Sequence, residues 1–169
     1  SIRTLTPAKN AVVLLFHLCY ASGNSEPGQS EPSLSTAKKR VDNYAAAFSR
    51  EGYLVRGYAN RKQALAAFTA RLPDLVVIDI SLEDEPEGGF ELCRELRSRS
   101  AELPLIFLTA RDSELDAVSG LRLGADDFLT KDLSIGHLIA RINALFRRID
   151  ALRRPAEDQQ IIRRGALTL

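Results

Sequence analysis

Asp74-Leu-Val-Val-Ile-Asp79, Leu103-Pro-Leu-Ile-Phe-Leu-Thr109 and Asp126-Asp-Phe-Leu-Thr-Lys131 are three short apolar runs, each closing on a polar residue able to carry chemistry. Helix-like segments separate them, a pattern that predicts parallel strands joined by crossover helices. In open sheets of that kind ligands bind at the carboxyl ends of the strands. A carboxylate, a hydroxyl and an ammonium are therefore expected to meet on one edge. Taken singly, a strand-terminal Asp is commonly a loop cap, Thr a strand former and Lys a surface residue. It is their convergence that points to a site.

Working outward, Val12 to Leu18 reads as a buried first strand. Arg3 and Lys9 ahead of the apolar run Ala11 to Ala21 imitate a signal peptide, but the run is too short to span a bilayer. Residues 22–35, rich in Gly, Ser, Pro and Glu, read as a flexible insertion, longer than most connections in a compact domain. Ser35 or Thr36 is expected to cap a helix reaching Arg50, with Val41, Tyr44, Ala45 and Phe48 on one face. Gly52 is expected to supply its left-handed exit. A strand at 54–58 follows, then a helix at 61–71 capped by Asn60, the strand 74–79 and an acidic loop bearing Glu83, Asp84, Glu85 and Glu87. The remaining expectations are a helix at 89–97, a strand at 105–108, a helix capped by Asp112 with Leu115, Val118 and Leu121 as its apolar positions, a strand at 127–130 and a helix at 134–152. That is a (βα)5 arrangement with right-handed parallel crossovers.

Composition sets the bounds. The 169 residues fit one ordinary domain with a short remainder, and 45% apolar residues suffice for a core. A net charge of +1 implies no global attraction to nucleic acid or membrane. Cys19 and Cys93 make neither a disulfide framework nor a metal-ligand spacing, and read as reduced core thiols of a cytoplasmic protein. The absence of methionine, even at position 1, suggests a processed or cloned piece. After the polar breaker Arg153 to Asp158, the stretch Ile161 to Leu169 resumes a strand-like pattern, as if a second domain began there.

An aspartate at a strand end can attack a phosphoryl donor and form an acyl phosphate. The transferred group carries dispersed negative charge, so a divalent cation and an ammonium are needed nearby. Acidic residues beside Asp79 would hold Mg²⁺ through oxygen ligands. Lys131 would pair with the aspartate before reaction and with the phosphoryl group after it. Thr109 would hydrogen-bond a phosphoryl oxygen, with the small Ala110 leaving room for access.

These three motifs, the last extended upstream as Leu123-Gly-Ala-Asp-Asp-Phe128-Leu-Thr-Lys131, resemble the receiver domain of two-component response regulators, in particular the OmpR/PhoB transcription factors. The resemblance covers about residues 36–150 plus the first strand. It implies a flavodoxin-like five-stranded parallel sheet in the order 2-1-3-4-5. It makes Asp79 the phosphoacceptor, Thr109 the switch hydroxyl, Phe128 the switch aromatic and Lys131 the active-site lysine. It further implies phosphotransfer from a sensor histidine kinase and a need for Mg²⁺ at Asp79 and the backbone carbonyl of Ser81. The molecule would be a regulatory domain rather than an enzyme, able at most to promote its own phosphotransfer and dephosphorylation.

Residues 1–150 would be the receiver and 151–169 a linker plus the start of a winged-helix DNA-binding domain. DNA contact is expected only through that missing domain, so Arg153, Arg154, Arg163 and Arg164 read as linker. A homodimer is implied through the fourth helix, fifth strand and fifth helix, with Asp127 and Arg141 as one ion pair. Ser119 and His137 stand where a second pair is usual. Residues 84–93 and 130–132 further resemble regulators of proteobacterial dedicated sortase systems.

Three departures accompany the likeness. Leu15 to Ala21 lacks the acidic pair that family members carry after the first strand, leaving Glu31 in the insertion as the candidate metal ligand. Asp132 replaces a proline that is often cis, and a cis bond at a non-proline residue costs about 3 kcal/mol, so a trans bond is expected. Asp132 could also draw Lys131 away from Asp79. The loop after Asp79 is about two residues longer and more acidic than is usual. Two rival readings stand beside this one, a pseudo-receiver acting as a phosphorylation-independent interaction module, which the missing acids motivate, and a phosphohydrolase with an aspartyl nucleophile. The second generally needs an acid two residues beyond the nucleophile, where Ser81 stands.

Overall fold

The computed structural model describes residues 11–15, 34–82 and 85–153. The chain divides into two compact units, residues 1–135 and 136–169. Five strands, β1 (Ala11–Leu15), β2 (Leu54–Tyr58), β3 (Leu75–Ile78), β4 (Leu105–Thr109) and β5 (Asp127–Thr130), form one sheet in the order β2-β1-β3-β4-β5. Every pairing is parallel. The helices are α1 (Leu34–Arg50), α2 (Arg61–Phe68), α3 (Gly88–Arg99), α4 (Glu114–Arg122) and α5 (Ile135–Arg153), the last supplying, from Gly136 on, the described part of the second unit.

β3 and β4 are buried at every position, as strands covered on both faces must be. Alternation assigns their side chains. Val76, Ile78, Leu105 and Phe107 join one core cluster with Phe68 of α2 and Phe90, Leu92 and Leu96 of α3. Leu75, Val77, Ile106 and Leu108 point to the other face, shared by Val12 and Leu14 through the β1–β3 register. α1 buries Tyr44 and Phe48 one turn apart, and Ala45 is half-buried beside them. Phe48 meets Tyr53 edge-on at 6.0 Å. α5 buries Leu138, Ile142 and Phe146, a stripe at four-residue spacing.

Several local expectations hold for identifiable reasons. Asn60 caps α2, its Oδ1 accepting from Gln63 N at 2.9 Å. Gly52 and Gly124 take positive φ of 88° and 99° at the ends of α1 and α4. Other expectations need correction. α1 starts at Leu34, so Ser35 and Thr36 lie within its first turn and do not cap it. Ser113, not Asp112, precedes α4 as the cap, without a side-chain bond. α2 stops at Phe68, three residues short of the expected end.

α4 turns its apolar positions to solvent. Leu115, Val118 and Leu121 are 75%, 41% and 48% exposed. The buried residues are Asp116 and Gly120. Gly120 lies so close to the sheet that a methyl group there would come within 2.9 Å of Phe107 and 3.1 Å of Phe128. A helix that backs onto two aromatic rings needs its smallest residue inside, which turns the leucines outward.

Asp126 organises the β4–β5 side of the first unit. Its Oδ2 accepts from Leu105 N at 2.9 Å and from Arg97 Nη2 at 3.2 Å, while its own amide donates to Leu105 O at 2.8 Å. Arg97 also donates to the carbonyls of Gly124, Ser100 and Leu103. Asp126→Ala would strip the buried Leu105 amide of its acceptor, a loss of about 1–3 kcal/mol. It should lower the urea midpoint without changing the slope, and Asp126→Asn, which keeps an acceptor oxygen, should cost less.

Gly89 fixes the start of α3 against the end of β3. Its amide donates to Ile80 O at 2.7 Å, and a Cβ there would lie 2.1 Å from the Asp79 carbonyl oxygen. Both neighbours are backbone and cannot step aside. Gly89→Ala should therefore destabilise by at least about 1–3 kcal/mol, read as a lowered thermal midpoint, with loss of soluble folded protein as the extreme result.

Candidate functional site

The register brings the expected residues together. Ile78 pairs with Phe107 and Thr109 with Thr130, so Asp79, Thr109 and Lys131 stand at or just past the carboxyl ends of three adjacent strands. Lys131 N donates to Thr109 O at 2.8 Å, carrying the β4–β5 pairing up to the lysine. Asp79 is 5% exposed and Thr109 1% exposed. The Lys131 ammonium reaches across β4 and forms an ion pair with Asp79 Oδ2. Ala110 beside Thr109 is exposed, leaving that side open.

This pairing answers the question posed by Asp132. Its carboxylate accepts from the Thr130 hydroxyl and not from Lys131, whose ammonium is on Asp79. The Lys131–Asp132 bond is trans, as is every peptide bond among the described residues. Phe128 is half-buried at the level of Phe107, with ring centroids 6.0 Å apart, and packs beside Gly120.

The loop between β3 and α3 is folded back on itself. Leu82 and Glu85 exchange backbone hydrogen bonds of 3.0 and 2.7 Å, and Ser81 Oγ donates to Pro86 O at 3.2 Å. Its described acids are committed elsewhere. Glu85 accepts from Arg61 Nε at 2.9 Å and Glu87 from Arg111 Nη1 at 2.7 Å, so neither carboxylate is directed at Asp79. Glu83 and Asp84 lie outside the described residues, as do Glu31, residues 22–33 of the expected insertion and the tail 154–169, whereas residues 34 and 35 of that insertion belong to α1.

A divalent cation needs several oxygen ligands. No group of three or more His, Cys, Asp or Glu suited to a metal exists among the described residues. Asp79 and the Ser81 carbonyl alone do not make a cage.

Arg111 is the residue that the sequence reading missed. Its Nε and Nη2 fork onto Asp116 at 2.8 and 2.7 Å, and Nη1 takes Glu87. Its backbone amide donates to Thr109 Oγ1 at 3.2 Å. The hydrogen bond that Arg111 donates to Glu87, and after it those to Asp116, raises the guanidinium's pKa further, against the opposing effect of burial. The sequence held no signal for it, since the burial of Asp116, which demands a partner for its carboxylate, shows only in the fold. Cys93 is fully buried, and that burial pushes its thiol pKa up, in keeping with an inert core residue.

No helix among the described residues is long and apolar enough to cross a membrane. Among proteins of known character, the chain is 40% identical over 139 residues to the transcriptional regulatory protein TrcR of Mycobacterium tuberculosis, an overlap of 82% of this chain and 50% of TrcR. It is 43% identical over 108 residues to the sensory transduction protein RegX3 of Mycolicibacterium smegmatis, covering 64% of this chain and 46% of that protein. The chain thus spans about half the length of these curated relatives. Its fold superposes on the receiver domain of the Francisella response regulator 1452 with a TM-score of 0.64 at 28% identity, covering 83% of this chain and 99% of that domain. Residues 38–143 match the response regulator receiver domain family, and with a flavodoxin-like sheet whose carboxyl edge holds a buried aspartate–lysine pair, the chain belongs to that family.

Proposed function

We propose that this chain is the phosphoacceptor receiver domain of a DNA-binding response regulator of the OmpR/PhoB type, phosphorylated on Asp79 by a sensor histidine kinase in the cytoplasm. The observation that carries the reading is the buried Asp79 carboxylate, held by Lys131 at the carboxyl edge of a receiver sheet. Asp79 attacks the phosphorus of the donor, the donor's bond to phosphorus breaks, and an acyl phosphate forms. Lys131 then pairs with the added phosphoryl group. Thr109 gives up its bond from the Arg111 amide and donates its hydroxyl to a phosphoryl oxygen, and Phe128 repacks beside Phe107. This is a population shift between two states.

The regulatory readout is a homodimer through α4, β5 and α5. The outward Leu115, Val118 and Leu121 of α4 support it, since clustered exposed apolar side chains mark interaction surfaces. Asp127 on β5 and the exposed Arg141 on α5 are the ion pair proposed across it. Residues 151–169 as a linker leading to a winged-helix domain agree with relatives about twice as long, two of them named as transcriptional or sensory regulators. The narrower kinship to dedicated sortase regulators rests on residues 84–93 and 130–132 alone.

Incubation with acetyl phosphate and Mg²⁺ should add one phosphoryl group by intact-mass spectrometry. Asp79→Asn should abolish the adduct. Lys131→Ala, losing a charged hydrogen bond of about 1.5–3 kcal/mol, should slow its formation roughly 10- to 100-fold. An unmodified wild type, or a full adduct on Asp79→Asn, would overturn the assignment.

Mg²⁺ is the proposed cofactor, with Asp79 and the Ser81 carbonyl as ligands and Glu31 as the candidate third. The pairing of Glu85 and Glu87 with arginines favours one rival reading, a pseudo-receiver that acts by interaction alone. Calorimetric titration separates the two. The phosphoacceptor reading expects Mg²⁺ binding at millimolar concentration, weakened by Glu31→Gln. No heat of binding, together with no adduct, would establish the pseudo-receiver.

A further inference from the structure

Arg111 holds two carboxylates that belong to different segments. Asp116 sits in the first turn of α4 and its side chain is 12% exposed, whereas Glu87 ends the loop that leaves Asp79 and its side chain is 55% exposed. Glu87 is the cap residue of α3, yet its side chain makes no capping bond and turns to Arg111 instead. One guanidinium therefore ties the loop following the phosphoacceptor to α4. The backbone of the same residue holds the Thr109 hydroxyl oxygen.

The two arms differ in what they resist. Asp116 is five residues from Arg111, so the fork between them is local and can travel with the β4–α4 segment. Glu87 is 24 residues away and anchored by the Gly88 and Gly89 amide bonds to the β3–α3 loop. A shift of residues 109–111 that carries Thr109 toward Asp79 drags the guanidinium and stretches the Glu87 arm. α4 has little else to hold it, since its buried residues are Asp116 and Gly120 and its leucines face outward.

We propose that Glu87 and Arg111 form an electrostatic latch that keeps α4 and the Thr109 hydroxyl in their present positions and opens when Asp79 is phosphorylated. Glu87 acts through Arg111 and is a positioning residue. The second clause rests on the phosphoacceptor reading, while the first stands without it.

Hydrogen exchange on the unphosphorylated 169-residue chain tests the first clause. Exposed pairs of this kind contribute little, so α4 amides in Glu87→Gln should exchange roughly one and a half to five times faster than in wild type. Raising salt to about 1 M shrinks the screening length to about 3 Å. Wild type should then approach the variant, while the variant itself barely responds, and Glu87→Asp should recover part of the protection. Equal α4 exchange in wild type and Glu87→Gln, equal salt responses, or faster exchange spread over the whole sheet would each overturn the latch.

Acetyl phosphate labelling tests the second clause. Glu87→Gln should acquire the phosphoryl group faster by the same factor, and an unchanged rate would overturn release on phosphorylation. If wild type takes no label at all, the phosphoacceptor reading fails, and the exchange measurement still decides whether the latch exists.

Discussion

The ion pair between Asp79 and Lys131 depends on most of the fold and constrains the rest. Both side chains are largely withdrawn from water, and removing two charges from solvent is expensive unless each finds the other. Their residues lie 52 positions apart, on strands with β4 between them. The contact exists only if β3, β4 and β5 are in register, and only if the chain after β5 lets the lysine turn back across the edge. Asp126 fixes the first condition by stitching β5 to the Leu105 amide at the start of β4. The trans bond to Asp132, with that carboxylate engaged by Thr130, satisfies the second without a proline.

The same edge shows how local backbone demands dictate residue type. α3 begins against the Asp79 carbonyl with no space for a side chain, so Gly89 sits there, and its amide closes the loop onto Ile80. The acidic loop after β3 is tied down at its described acids. Glu85 goes to Arg61 on α2 and Glu87 to Arg111, so two of its charges act as struts. Glu85 and Glu87 serve there as partners of arginines.

Much of the sheet and its edge could be read from the chain because strand patterning is local. Runs such as Leu75-Val-Val-Ile78 and Leu105-Ile-Phe-Leu108 are too apolar for any element but a doubly covered strand. Asp79, Thr109 and Lys131 follow from the same runs by position alone. What could not be read is whatever depends on which neighbour a helix meets. The apolar positions of α4 can be read from their spacing but not the side they face, because the rings of Phe107 and Phe128 admit only Gly120, and Asp116 is buried because Arg111 waits for it. Periodicity reports amphipathicity and carries no information about a partner contributed from another strand.

That inversion gives α4 an unusual balance. A helix normally gains its adherence from buried apolar area, at about 25 cal/mol per Å², and such adherence is hard to release in small steps because it has no single handle. α4 instead rests on a glycine contact and on a guanidinium shared between its own carboxylate and one from the neighbouring loop. Charge-based adherence has discrete handles and responds to any new charge or hydrogen bond at the sheet edge. The apolar side chains that would otherwise glue the helix down are left facing outward. Holding a helix by polar contacts within and leaving its leucines outside is a coherent physical arrangement. It lowers the cost of moving the helix while its apolar side chains stay in water.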